Sequence, residues 1–276
     1  PRSTLFPYTT LFRSHWFKFG KTTHVKHFSI LALLLLVTSF SCNKKKEKDP
    51  ETETPAVQQS KLSLKPVFGT DPLLLDSIYT LSNGYKIEFL ELKAYFTGIQ
   101  SGTTTLKDAA LFNFRETGTL IFQANQLVSN PASIQFGIGV PAAINHNDPS
   151  LFPSTNPLNI AIANDMHWDW NPGYIFFKIE AKVDTLTDGI TNCDHNLVYH
   201  VGTDAYYTSK TISNLSWSAV SNTVNQAWMK LDLKNFFENS GNAIDVKTEF
   251  TTHSMASQSA LTEKARQNFV ASISAL

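Results

Sequence analysis

The segment GYIFFKIEAKVDTL (173–186) is a long apolar run that predicts a central β-strand. Shorter segments of similar composition lie on both sides of it, separated by turns rich in Asn, Gly, Pro and Asp. They are KLSLKPVFG (61–69), YKIEFLELKAYFTGIQ (85–100), LKDAALFNF (106–114), TLIFQAN (119–125), SIQFGIGV (133–140), NLVYHVG (196–202), TISNLSW (211–217) and NQAWMKLDL (225–233). Strands at this spacing predict a mainly β fold, an antiparallel β-sandwich.

Two segments near the end of the chain are predicted to be helical. NFFEN (235–239) is predicted to form a short turn of helix. Residues 254–275 contain no Gly or Pro, and apolar side chains recur there at helical spacing at Met255, Leu261, Ala265, Phe269 and Ile273. The sequence therefore predicts a sandwich with a short C-terminal helix. No repeat and no second linker is visible, so residues 61–276 are predicted to form one domain.

The distribution of charge argues against nucleic-acid binding. The chain has 276 residues, is 42% hydrophobic and has a formal net charge of zero. Five of the 23 basic residues lie in residues 1–41, which contain no carboxylate, so the remaining 18 are outnumbered by 23 acidic residues. A mildly acidic domain without a basic stripe lacks the surface that nucleic-acid binding requires.

The first 60 residues are interpreted as three segments outside the domain. TLFPYTTLFRS (4–14) resembles the translation of a sequencing adapter, and the first methionine of the chain is Met166, so residues 1–14 are interpreted as an artefact. Residues 15–41 are predicted to be a signal peptide, because three lysines precede an apolar stretch (28–40) that is shorter than the roughly 20 residues of a transmembrane helix. Residues 42–60 are polar and charged, which predicts a flexible tether.

Small residues before Cys42 make the signal peptide resemble that of a bacterial lipoprotein. Cys42 would then carry the lipid as the first residue of the mature chain, and the domain would be anchored to a membrane of the cell envelope. Such an anchor is compatible with a domain on the surface face of the outer membrane and with one on its periplasmic face. Ordinary cleavage near Ser41, which would release a soluble secreted protein, is the alternative.

Five blocks of sequence follow one another along the domain. They are LSLKPVFGTDPLLL (62–75) with ELKAYFTGI (91–99), FGIGVPAAIN (136–145), MHWDWNPGYIFFKIEA (166–181), YHVG (199–202), and HSMAS (253–257) followed by RQNF (266–269). In this order they resemble the MbnP-like family of secreted bacterial copper-binding proteins. His167 and Ala181 depart from the pattern, which has an aromatic residue such as Tyr and a Gly at these positions.

The resemblance implies a copper site in which a tryptophan is oxidised to kynurenine and histidines supply further ligands. Opening the indole ring exposes an aryl amine and a ketone, which turns a donor-only side chain into a possible ligand. Neutral imidazoles suit copper, and a thioether is a soft additional donor. The implied candidates are His200, His253, Trp168 and Trp170, with His167 and Met166 as lesser ones. The implied role is copper uptake, storage or delivery, with a di-haem peroxidase-like partner as the oxidant of the tryptophan.

Structural roles are the competing interpretation of these residues. Trp168 and Trp170 would share one face of an extended segment and could simply pack, and a strand histidine such as His200 is often a hydrogen-bonded structural residue. Asp169 and Glu180 could orient a histidine N–H or face solvent. No GxSxG, P-loop or GxGxxG motif occurs, so the chain is not expected to be an enzyme. The alternative function is a cell-surface β-sandwich module that binds glycan or peptide on exposed aromatic side chains.

Overall fold

The described part of the chain forms two β-sheets, and buried and exposed side chains alternate along many of their strands. The computed structural model describes residues 59–124, 130–168 and 173–276. In chain order, the strands of this part are β1 (Gln59–Phe68), β2 (Asp71–Pro72), β3 (Ile78–Thr80), β4 (Lys86–Ser101), β5 (Thr104–Asn113), β6 (Leu120–Ala124), β7 (Ser133–Ile138), β8 (Ile175–Asp184), β9 (His195–Gly202), β10 (Thr208–Ser213), β11 (Trp217–Ser221), β12 (Val224–Asp232), β13 (Thr251–Thr252) and β14 (Ile273–Ala275). The α-helices are α1 (Phe114–Thr117), α2 (Ala142–Asn145), α3 (Ile160–Ala163), α4 (Leu233–Glu238) and α5 (Ser259–Ser272).

The two sheets have six and eight strands within the described residues. The smaller sheet has the order β11-β12-β1-β2, with β14 also paired to β12 and β6 to β1. The larger sheet has the order β10-β7-β4-β8-β9-β13, and β3 and β5 also pair with β4. The predicted central strand is confirmed, because β8 lies between β4 and β9. Most pairs are antiparallel, whereas β1–β12 and β9–β13 are parallel.

The main core lies between the sheets and beneath helices α4 and α5. Leu64 and Met229 come from the smaller sheet, and Phe177 comes from the larger one. Helix α5 adds Phe269, whose ring stacks on Phe177 with centres 4.1 Å apart. The predicted mainly β sandwich with a short C-terminal helix is confirmed. The predicted strand 211–217 is divided in two, because Asn214 adopts a left-handed φ of 61° that turns the chain between β10 and β11.

A second, smaller apolar cluster covers part of the other face of the larger sheet. Successive side chains of a strand point to opposite faces. Thus β8 buries Phe177 and Ile179 in the main core and presents Phe176, Lys178 and Glu180 to the outer face. Residues between 140 and 168, together with Tyr174, pack over Phe176 and contribute most of this cluster, which consists of Tyr95, Ala109, Val140, Leu158, Ala163, Met166, Trp168, Tyr174, Ile175 and Phe176.

The predictions for the N-terminal segments fall mostly outside the described residues. This applies to the artefact (1–14), the signal peptide (15–41), the lipidated Cys42 and all but the last two residues of the tether (42–60). Strand β1 begins at Gln59. In the part of the chain that the structure describes, no helix is both long and apolar enough to cross a bilayer.

Candidate metal centre

Parallel pairing of β9 and β13 brings two distant histidines together. Thr252 of β13 lies opposite Tyr199 of β9, so the residues that follow them, His253 and His200, are also neighbours. Tyr199 is buried in the main core, and His200 therefore projects from the outer face. The two imidazole rings lie edge to face, with centres 4.9 Å apart and planes at 83°.

Hydrogen bonds fix the loop after β13 against β9. Ser254 has a left-handed φ of 59°. Its hydroxyl accepts the N–H of Gly202 at 2.9 Å and donates to the carbonyl of His200 at 3.2 Å. The N–H of His253 donates to Oε1 of Gln258 at 2.8 Å. These hydrogen bonds fix the backbone that carries His253 beside the backbone that carries His200.

A carboxylate holds one ring nitrogen of His200. Nε2 of His200 lies 2.8 Å from Oε1 of Glu180, which comes from the neighbouring strand β8. The same carboxylate oxygen lies 3.2 Å from Nζ of Lys178. The hydrogen bond from His200, aided by the charge of Lys178, lowers the pKa of Glu180 to about 2. Glu180 is therefore ionised at neutral pH, and it can only accept hydrogen bonds.

The surroundings of His253 disfavour its protonated form. Burial lowers the pKa of His253, and the neighbouring His200 lowers it further, although Glu180 opposes both effects. A neutral imidazole keeps a lone pair with which it can bind a metal ion. The environment of His253 thus favours the state that a ligand needs.

The depressed pKa of His253 predicts a loss of stability on mild acidification. Below the ordinary histidine pKa of 6.5, the unfolded chain takes up a proton before the folded chain does, so the free energy of unfolding falls as pH decreases. Urea denaturation of the metal-free protein between about pH 7 and pH 5 measures this slope. In His253→Gln the slope should be smaller. Equal slopes in the two proteins would contradict the prediction. Carboxylates such as Glu180, whose pKa is also lowered, contribute to both slopes alike, so the difference between the slopes isolates His253.

The histidine pair suits a metal ion in both geometry and chemistry. A metal–nitrogen bond of about 2.0 Å would put each ring centre about 3.2 Å from the ion, so ring centres 4.9 Å apart are close enough to share one ion. Imidazole ligands suit Cu, Zn and Ni. Among the described residues, no three His, Cys, Asp or Glu side chains are grouped as a metal site.

Trp168 lies against the strand that carries His200. A Cβ atom placed on Gly202, two residues after His200, would be 2.6 Å from two atoms of the indole ring. The absence of a side chain at Gly202 thus lets the indole rest directly on the backbone of β9. Trp168 is buried, with 5% exposure. Trp170 and Asp169 lie outside the described residues.

The two lesser candidates make other contacts. Met166 is fully buried in the apolar cluster with Trp168 and Phe176. His167 is half-buried, and its ring lies edge-on to Tyr174 with centres 5.0 Å apart. The structure therefore brings His200 and His253 together and places Trp168 beside their strand, while Met166 and His167 belong to the packing of the covering segment.

A cavity of about 290 Å³ opens beside Trp168. It is lined by Asn145, His146, Trp168, Gly173, Thr203, Asp204 and Ala205. Nε2 of His146 lies 2.9 Å from a carboxylate oxygen of Asp204. The indole of Trp168 thus borders a cavity.

The sequence did not predict the charged residues that surround Glu180. Lys93 of β4 and Lys178 of β8 are each only 7% exposed. Both contact Glu91 and Asp165 at 2.6 to 2.9 Å. Their signal in the sequence is a lysine in the middle of an apolar strand, as in ELKAYF and FFKIEA. Such a lysine ordinarily faces solvent, but here residues from the 139–168 segment, Asp165 among them, cover this face of the sheet.

Comparison with known proteins identifies one family. A family model described as MbnP matches residues 57–257. One solved structure, MbnP from Methylosinus trichosporium, is similar at 16% sequence identity, and the match covers 66% of this chain and 78% of that chain with a TM-score of 0.43. No curated protein matches the chain.

Proposed function

The chain belongs to the MbnP family, and from this premise we propose that it is an extracytoplasmic copper-binding lipoprotein that takes up, stores or delivers copper. The observation that carries the proposal is the contact between His200 and His253, whose ring centres lie 4.9 Å apart. The pair combines residues from the fourth and fifth sequence blocks that suggested the family. Copper is the cargo of this site, and the two imidazoles bind it.

The surroundings of the pair support copper as the ion. Nitrogen donors bind copper more tightly than they bind the other divalent metals of the first transition row. The side chain of His200 is 13% exposed, so its ring is mostly shielded from water. Its hydrogen bond to Glu180 orients the ring, as carboxylates commonly do for metal-binding histidines.

We propose a tryptophan-derived kynurenine as a further donor, with Trp168 or Trp170 as its source. The position of Trp168 on the backbone of β9 supports the first choice. The conversion is a four-electron oxidation that cleaves the C2–C3 bond of the indole and places one oxygen on each carbon. Hydrolysis then releases C2 as formate, so the side chain exchanges one carbon for one oxygen. The oxidant is external, and we propose a di-haem peroxidase-like partner for this role. The cavity beside Trp168 supplies a route for a small oxidant.

The proposed location rests on the N-terminal sequence. Cys42 follows an apolar stretch and precedes a polar segment of about 18 residues that can act as a tether. Lipid on Cys42 would hold the domain at a membrane of the cell envelope. We propose a binding protein rather than an enzyme. A glycan or peptide module with an exposed tryptophan platform is not supported at Trp168, because that side chain is buried.

Intact-mass and copper analysis of the protein purified from its native envelope tests these proposals together. We expect about one copper ion per chain after dialysis, since the histidine pair forms a single site. The mass should show lipid on the first residue and the exchange of carbon for oxygen in the peptide that contains Trp168 and Trp170. Protein from a host without the oxidising partner is the control and should lack the exchange. A native protein without copper would refute the copper proposal, and unmodified tryptophans would refute the kynurenine ligand.

A further inference from the structure

Two lysines lie side by side on the outer face of the larger sheet. Lys93 of β4 and Lys178 of β8 are directly opposite each other in the antiparallel register, and each is 7% exposed. Like charges in opposite positions destabilise a sheet, and buried charges must be paired. This place in the fold therefore requires negative partners.

Two carboxylates neutralise the two lysines. Glu91 contacts Lys93 with one oxygen and Lys178 with the other, both at 2.6 Å. A single oxygen of Asp165 lies 2.7 Å from Lys93 and 2.9 Å from Lys178. Since two positive charges already face two negative ones, the third carboxylate of the cluster, Glu180, adds one negative charge.

Glu180 carries this additional charge next to the candidate metal centre. Glu180 lies 3.2 Å from Lys178 and 2.8 Å from Nε2 of His200 through the same oxygen, Oε1. Lys178 thus holds the carboxylate in place from one side while His200 contacts it from the other. The register of β8 and β9 supports this arrangement, because Lys178 lies opposite His200.

An ionised carboxylate permits one neutral form of the histidine. Because it can only accept a hydrogen bond, the nitrogen that faces it must carry the proton. We infer that Glu180, held by Lys178, is a positioning residue that keeps His200 in the Nε2–H tautomer and so leaves the lone pair of Nδ1 free for a metal ion. This inference deepens the proposed function and rests on it.

The same charged cluster also anchors the segment that carries Trp168. Asp165 lies three residues before Trp168, in a 3₁₀ turn of residues Asn164–Met166. Its contacts with Lys93 and Lys178 attach this turn to β4 and β8. The positions of His200 and Trp168 are therefore fixed by one set of ion pairs.

Nitrogen NMR of the metal-free protein, labelled in its histidine rings, tests the inference directly. In the wild-type protein near neutral pH we expect His200 as the Nε2–H tautomer. In Glu180→Gln, the amide both donates and accepts, so the preference should be lost and a mixture of tautomers should appear. Copper affinity of Glu180→Gln should fall by about 10- to 100-fold, as is common when the partner of a metal-binding histidine is removed.

Glu249→Gln is the matched control. The side chain of Glu249 is 29% exposed, against 32% for Glu180, and it is also paired with a lysine, Lys264. Its substitution should change neither the tautomer of His200 nor the copper affinity. Glu180→Asp separates charge from position, because it keeps the charge near Lys178 but shortens the side chain. Because the inference requires the carboxylate to contact His200, this variant should resemble Glu180→Gln in the tautomer of His200 and in copper affinity.

Three outcomes would overturn the inference. They are an unchanged Nε2–H tautomer in Glu180→Gln, a changed tautomer with wild-type copper affinity, and an equal loss of affinity in Glu249→Gln. A wild-type protein that binds no copper would refute the proposed function instead. In that case the NMR measurement still decides whether Glu180 positions His200.

Discussion

Substitution of His200 by alanine is expected to lower the affinity of the protein for copper by more than about 100-fold. Removing the hydrogen-bond partner of a metal ligand commonly costs about 10- to 100-fold in affinity, and removing the ligand itself should cost more. The substitution removes one of two imidazoles whose centres are 4.9 Å apart. It leaves Glu180 in contact with Lys178, so the carboxylate keeps a charged partner and the fold should persist. Competition titration with a copper chelator measures the affinity.

His195→Asn is the control on the same strand. His195 begins β9 and lies five residues before His200, at a distance of about 16 Å along an extended chain. Its ring packs against Phe250. This variant should bind copper as the wild-type protein does, whereas His253→Ala should resemble His200→Ala. Retention of wild-type affinity in His200→Ala would show that the histidine pair is not the copper site.

The strands could be predicted from the sequence because the apolar pattern and the flanking turn residues that define a strand lie within one short segment. Segments such as 173–186 and 85–100 are bounded by turn residues, and the structure places β8 and β4 within a residue or two of them. Helix α5 was equally visible from its apolar spacing, although it begins five residues later than expected, after a loop and a 3₁₀ turn at Ala256–Gln258. In each case the side chains of one segment are sufficient to define its element.

The pairing of strands could not be predicted in the same way. The contact of His200 with His253 depends on the parallel pairing of β9 with the two-residue strand β13, which carries no pattern of its own. The resemblance to a family suggested both histidines, but their distance is a property of the folded chain. The burial of Lys93 and Lys178 has a similar origin, because it depends on a segment distant from β4 that covers the sheet.

Substitution of Gly202 by alanine is expected to destabilise the protein by about 3 kcal/mol, near the upper end of the range for overpacked sites. The added Cβ would lie 2.6 Å from two ring atoms of Trp168 and 2.6 Å from the backbone carbonyl oxygen of Tyr174. The indole could move, but the carbonyl is part of the backbone bridge between His167 and Tyr174 and cannot yield as easily. Urea denaturation measures the change in the free energy of unfolding.

Gly102→Ala separates this steric effect from the effect of losing a glycine. Gly102 has a left-handed φ of 57° and no atom within 4 Å of an added Cβ, so alanine there should cost only the backbone strain of about 1 kcal/mol. Gly202→Ala should also displace the indole from β9 and weaken copper binding, which Gly102→Ala should leave unchanged. If Gly202→Ala is no less stable than Gly102→Ala, the indole does not rest on the strand, and Trp168 loses its support as the source of the third copper ligand.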